Sequence, residues 1–170
     1  AGKSTLMKIL AGATAMDGGS IRIDGSALQI RGPQHAREVG VAIIYQELSI
    51  LPHLSVAENI FLGRLPRRAG MPWLVDWQLC HQRSAELLEQ VGLDVDPRTL
   101  ASQLKIADQQ MVEIAKAISE NAKIVVMDEP TTSLTTREVE TLFAAVRQLQ
   151  QRGVSIVYVS HRLVEVKEIC

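Results

Sequence analysis

Residues 123–160 restrict the fold more than any other part of the chain. The run Lys123–Asp128 (K-I-V-V-M-D) reads as a short apolar strand ending in acid, and Val154–Ser160 (V-S-I-V-Y-V-S) reads as another strand. Between them Thr135 and Glu138 form a capping box, and Val139, Leu142, Phe143, Val146 and Leu149 fall at helical spacing before Gly153 stops the helix. Strand, helix and strand in so short a span make a βαβ crossover, so both strands are expected to be parallel and buried. A chain built round such a unit is α/β, and open α/β sheets bind ligands at the carboxyl ends of their strands.

The rest of the chain repeats the alternation. Lys3–Ala11 reads as a helix stopped by Gly12, and Ser20–Asp24 as an antiparallel strand between glycines. Val39–Tyr45 (V-G-V-A-I-I-Y) has the composition of a buried strand. Ser55 and Glu58 form a second capping box, opening a helix through Leu62 that Gly63 closes. Residues 64–75, with Pro66, Gly70 and Pro72, read as a loop, and Asp76 caps a helix to Val91. A further helix fits Ile106–Ser119, with Ile106, Met111, Ile114, Ala115 and Ile118 on one face. At 170 residues the chain corresponds to about one domain, on a soft scale of ~150 residues each. Its division is 1–54 and 121–170 as α/β core, with a helical portion over roughly 55–120.

Charge and composition remove several function classes. Lys+Arg 18 against Asp+Glu 19 leaves no excess of cations to neutralise a phosphate backbone, and two each of Phe, Trp and Tyr are too few for base stacking. The longest stretch free of Asp, Glu, Lys and Arg is 48–57, interrupted by Pro52 and His53, whereas a spanning helix needs about 20 apolar residues. Cys80 and Cys170 lack metal or redox spacing, and His35, His53 and His81 read as surface residues. Trp73 and Trp77 belong either to a surface shared with Arg64, Arg67 and Arg68 or to the core, and the core is expected. The chain opens at Ala1 inside a motif, so a fragment is expected.

That motif is A-G-K-S-T, Ala1–Thr5, the tail of a phosphate-binding loop G-x-x-x-x-G-K-[ST]. Gly2 lets the backbone wrap a phosphate, and the amides of Lys3, Ser4 and Thr5 at a helix start hold anionic oxygens. Lys3 would reach the β- and γ-phosphates, and the Ser4 hydroxyl would ligate Mg²⁺. The strand running into Asp128-Glu129-Pro130 supplies the matching acids: Asp128 for the Mg²⁺ shell, Glu129 as general base toward water.

In this order the motifs resemble the ATP-binding-cassette ATPases that power membrane transporters. The resemblance implies a P-loop NTPase of that type: α/β, a mostly parallel sheet with an inserted helical subdomain, binding ATP and Mg²⁺. Gln46, after the strand at Tyr45, resembles the glutamine that senses Mg²⁺ and the γ-phosphate, and His161 resembles the switch histidine. The family signature L-S-G-G-Q, which faces the nucleotide of an opposing cassette, corresponds to Leu104, Lys105, Ile106, Ala107 and Asp108 and departs from the pattern. Thr135 likewise replaces an aspartate that follows Ser133-Leu134.

The runs Ser55–Arg64, Ala107–Ile118 and Asp128–Glu140 resemble the first cassette of bacterial tandem-cassette monosaccharide importers of the ribose, xylose and galactose types. That implies integral-membrane permease subunits, an indirect sugar-binding protein, a second cassette in a longer chain, and a peripheral place on the cytoplasmic face of the membrane. No nucleic acid is expected as partner. Lys105 keeps open a non-hydrolytic regulatory cassette, and a soluble cassette acting on DNA or the ribosome is the other alternative.

Overall fold

The computed structural model describes residues 2–169. Its centre is a three-stranded parallel sheet in the order β3 (Val41–Ile44), β6 (Ile124–Asp128), β7 (Ser155–Val159). Val41 pairs with Ile124 and Ile44 with Met127, while Ile124 pairs with Ser155 and Asp128 with Val159. The register is set at the entry to β3. Gly40 has φ +89°, and its carbonyl accepts from the amides of Lys123 and Ile124 at 2.8 and 3.0 Å. A Cβ there would lie 2.9 Å from the Lys123 side chain, so this close start of the two strands needs glycine.

The crossover helix α6 (Thr136–Gln151) buries Leu142, Phe143, Ala145, Val146 and Leu149 against the sheet, while Val139 is only half-buried. Glu138 accepts from the Thr135 amide and hydroxyl at 2.8 and 2.7 Å, which fixes the helix start. The same apolar cluster takes in Ile44 and Met127 from the sheet and residues of α3 (Val56–Ile60), α4 (Trp77–Gln90) and α5 (Ile106–Ser119). Each fully buried aliphatic or aromatic side chain there contributes roughly 1.5–3 kcal/mol. The Ser55–Glu58 box opens α3, and Asp76 accepts from the Leu79 amide at 3.0 Å to open α4. Cys80 is fully buried, and burial pushes its thiol pKa up.

Several expectations are corrected. The stretch 64–75 is not all loop: β4 (Arg67–Arg68) and β5 (Met71–Val75) pair antiparallel across Gly70. Proline is compatible with a strand whose edge is not bonded, so the Pro/Gly signal does not exclude this short hairpin. Trp73 and Trp77 are 72% and 44% exposed and so lie outside the core. Ile106 is exposed because it is the first residue of α5, before the buried face begins. β7 is parallel as expected but only half-buried: it has one neighbour, β6, and Ser155 and Val157 face outward. Helix α2 (Pro33–Glu38) and strand β2 (Ser26–Leu28), the partner of β1 (Ile21–Ile23), carry no strong periodicity and went unanticipated. Helix α1 (Lys3–Leu10) reaches the carboxyl edge of the sheet through Lys3 of its first turn, and α7 (Leu163–Ile169) through Glu165. No helix among the described residues is long and apolar enough to cross a membrane.

Candidate functional site

Three side chains from distant parts of the sequence meet beyond the ends of β6 and β7. Lys3 Nζ stands 3.8 Å from Glu129 Oε1, and His161 Nδ1 stands 3.1 Å from Glu129 Oε2. Lys3 comes from the first turn of α1, Glu129 follows β6 directly, and His161 precedes α7. The Glu129 carboxylate thus stands within ion-pairing range of both a lysine and an imidazole. Glu129 itself has φ +47°, and its amide donates to the Val159 carbonyl at 2.8 Å. A non-glycine residue held left-handed costs about 1–2 kcal/mol, which turns the chain sharply and carries the carboxylate off the strand axis.

The start of α1 suits an anion. Gly2 is its N-cap with φ +98°, no side chain caps the helix, and the first turn holds no acid. Apart from its chain neighbours, no described residue lies within 4 Å of where a Gly2 Cβ would stand, so the space over this turn is open. Lys3, Ser4 and Thr5 are all exposed at this end. Asp128, half-buried, ends β6 beside Glu129. Gln46 lies exposed two residues past β3, at the same sheet edge. The loop that carries it is tied down at Ser49, whose amide and hydroxyl donate to the buried Glu113 of α5 at 3.1 and 2.6 Å.

Leu104–Asp108 sits elsewhere, at the start of α5. Lys105 is the exposed N-cap without a capping bond, Ala107 is buried and Asp108 lies in the first turn. Gln109 braces this turn by donating to the carbonyls of Ala101 and Leu104. The charge of Lys105 acts on Glu138 of α6, which keeps its carboxyl below the usual range chiefly through its bonds to Thr135.

Sequence reasoning missed the group that binds the loops together. Glu165, buried on α7, accepts from Thr131 Oγ1 at 2.6 Å, Tyr158 OH at 3.0 Å and Ser160 Oγ at 3.2 Å on Oε2, and from Arg162 Nη1 at 3.0 Å on Oε1. Burial alone would raise its pKa, yet the four donors together hold it below the ordinary carboxylate value. Burial and the same carboxylate push the Tyr158 hydroxyl up. The one sequence signal was the i, i+3 spacing of Arg162 and Glu165, which by itself reads as a surface pair.

A nucleoside triphosphate with Mg²⁺ fits this donor set. Mg²⁺ takes one or two carboxylates and completes its shell with waters and phosphates. Among the described residues no three His, Cys, Asp or Glu form a cluster that could hold a metal ion.

Comparison with known proteins agrees with this architecture. Residues 1–132 match the family described as ABC transporter. The chain is 48% identical over 170 residues to the ribose import ATP-binding protein RbsA of Geobacillus kaustophilus, covering 100% of this chain and 34% of that protein. It is 52% identical over 166 residues to ribose import ATP-binding protein RbsA 1 of Streptomyces avermitilis, covering 98% of this chain and 31% of that protein. The chain thus spans about a third of the length of the curated relatives it matches. Among solved structures, a nucleotide-free ATP-binding cassette from an ABC transporter superposes with a TM-score of 0.82 at 23% identity, covering 99% of this chain and 69% of that one. A dimeric cassette in a post-hydrolysis state, bound to ADP and Pi, gives 0.75 at 22% identity, with 96% and 72% covered.

Proposed function

The chain belongs to the ABC transporter family, and on that premise we propose that it is the ATP-binding, ATP-hydrolysing cassette of a monosaccharide importer. The convergence of Lys3, Glu129 and His161 carries this reading, because it joins a phosphate-seeking cation to a carboxylate able to act on water. In this reading Gly2 and the α1 amides receive phosphate oxygens, Lys3 and Thr5 contribute to nucleotide binding, and Ser4, Gln46 and Asp128 surround Mg²⁺. Glu129 takes a proton from the attacking water while His161 holds the carboxylate and meets the terminal phosphate. Mg²⁺ supplies charge neutralisation between the phosphates.

Leu104, Lys105, Ile106, Ala107 and Asp108 would face the nucleotide of a second cassette in the same longer chain. The partial coverage of the relatives supports that arrangement. Their names support ribose or a related sugar as cargo, with permease subunits as direct partners and a periplasmic or extracellular sugar-binding protein as indirect one. The protein would then lie peripherally on the cytoplasmic face. Residues 1–54 and 121–170 form the nucleotide-binding core in this reading, and roughly 55–120 the helical subdomain. A non-hydrolytic cassette would have no use for the Glu129–His161 pair.

The test is reconstitution of the full-length protein with its permease in lipid. ATP hydrolysis should rise when ribose-loaded binding protein is added, and Lys3→Ala should abolish it through lost nucleotide binding. An ATPase rate and an ATP affinity both unchanged by Lys3→Ala would overturn the assignment of the site.

A further inference from the structure

His161 is exposed, so packing does not hold it against Glu129. What holds it is the chain on either side. Ser160 Oγ accepts from the Arg162 amide at 3.0 Å and donates to Glu165, and the Arg162 guanidinium donates to the other oxygen of the same carboxylate. Thr131, two residues past Glu129, donates to Glu165 at 2.6 Å, which brings the loop behind the acid into the same cluster. Tyr158 anchors the cluster to β7 and packs its ring edge-on to Phe143 of α6, with centroids 6.0 Å apart. Four donors thus converge on this one carboxylate: Thr131 from the loop after β6, Tyr158 from β7, and Ser160 and Arg162 from the loop after β7.

We propose that Glu165 is a positioning residue of the ATPase site, fixing the loops of Glu129 and His161 relative to one another so that the pair is set before chemistry. The proposal rests on the ATPase reading above. Without Glu165, three hydroxyls and a guanidinium lose a shared partner, and what still joins the two loops among the described residues is the Glu129 amide bond to Val159 at the strand ends and the exposed His161–Glu129 contact. A displacement of about 1 Å in a reacting group can cost ~10²-fold in rate. Gly2, Lys3 and Ser4, which carry nucleotide binding in this reading, belong to the start of α1, which meets these loops through the 3.8 Å Lys3–Glu129 contact and not through Glu165. Turnover and affinity should therefore separate.

The experiment uses the full-length protein assembled with its permease in lipid, with kcat expressed per nucleotide-binding site counted by titration with a fluorescent ATP analogue. Glu165→Ala should lower kcat by about 10–100-fold with KM for ATP within about twofold of the parent. Glu165→Gln keeps the shape and can still bond the hydroxyls, so it should recover most of that loss. Should Glu165→Ala fail to fold, Ser160→Ala cuts one link without opening the core and should lower kcat about 3–10-fold at unchanged KM. An unchanged kcat per site in Glu165→Ala, or in Ser160→Ala where the first cannot be made, overturns the proposal, as does an equal loss in Glu165→Ala and Glu165→Gln. Glu129→Gln in the same assay separates the two readings. If it turns over like the parent, the ATPase assignment itself fails; if it is inactive while the Glu165 variants are normal, only the positioning role fails.

Discussion

Replacing Glu129 by glutamine should abolish turnover while leaving nucleotide affinity intact or slightly improved. The substitution preserves shape and the left-handed backbone at φ +47°, so its strain is the same in both proteins and the amide bond to Val159 survives. The oxygen of glutamine can take the place of Glu129 Oε2 opposite His161 Nδ1, 3.1 Å away. The ion pair with Lys3 is lost, but at 3.8 Å and with the lysine 56% exposed it contributes only about 0–1 kcal/mol. Phosphate must compete with Glu129 for Lys3, so removing the carboxylate charge should tighten ATP binding by up to roughly 5-fold. The lost proton acceptor should lower kcat by about 10²–10⁴-fold. Titration with a fluorescent ATP analogue and steady-state phosphate release measure the two quantities separately. If Glu129→Gln and Lys3→Ala lose affinity to the same extent, Glu129 is a binding residue and its assignment to chemistry is wrong.

Lys105→Ala should change the ATPase rate of the full-length protein by no more than a few-fold, because Lys105 is exposed at the start of α5 and makes no capping bond there; a loss of ~10²-fold would make it a phosphate ligand. Phe143→Ala should cost about 3–5 kcal/mol in denaturant unfolding, since the ring is fully buried beneath the sheet and supports Tyr158. Glu58, whose carboxyl is held below its ordinary range by the hydroxyl and amide of Ser55, stabilises the fold when ionised. That contribution is complete above its unfolded pKa and disappears as pH falls through the depressed one. Glu58→Gln should therefore lower Tm at neutral pH and converge with the parent in acid, and a Tm gap that widens on acidification would contradict this sign.

The local signals that needed only neighbouring residues were sound. Ser55 with Glu58 opens α3, Asp76 opens α4, and the alternation of apolar strand and amphipathic helix over 123–160 yields the parallel β6–α6–β7 unit. The Ala1–Thr5 and Asp128–Glu129 strings pointed to phosphate chemistry because such chemistry needs a glycine-led helix start and an acid at a strand end. The hairpin at 67–75 was hidden because proline and glycine punctuate loops and edge strands alike. The exposure of Trp73 likewise depends on what packs over it, which hydrophobicity does not encode.

What the sequence determined by itself was the set of candidate site residues and the α/β alternation that delivers them, since capping, periodicity and strand ends act over a few residues. Tertiary structure alone decided how those groups are held. Lys3, Glu129 and His161 lie far apart in the chain and meet only because parallel pairing of β6 with β7 brings both carboxyl ends to one edge. Glu165 shows the same dependence: spacing links it to Arg162, but its bonds to Thr131 and Tyr158 exist only once β7 and α7 fold back over the loop after β6. A buried carboxylate is tolerated there because four donors converge on it: Tyr158, Ser160 and Arg162 come from the adjoining stretch, whereas Thr131 comes from a distant loop that only the folded sheet brings within reach.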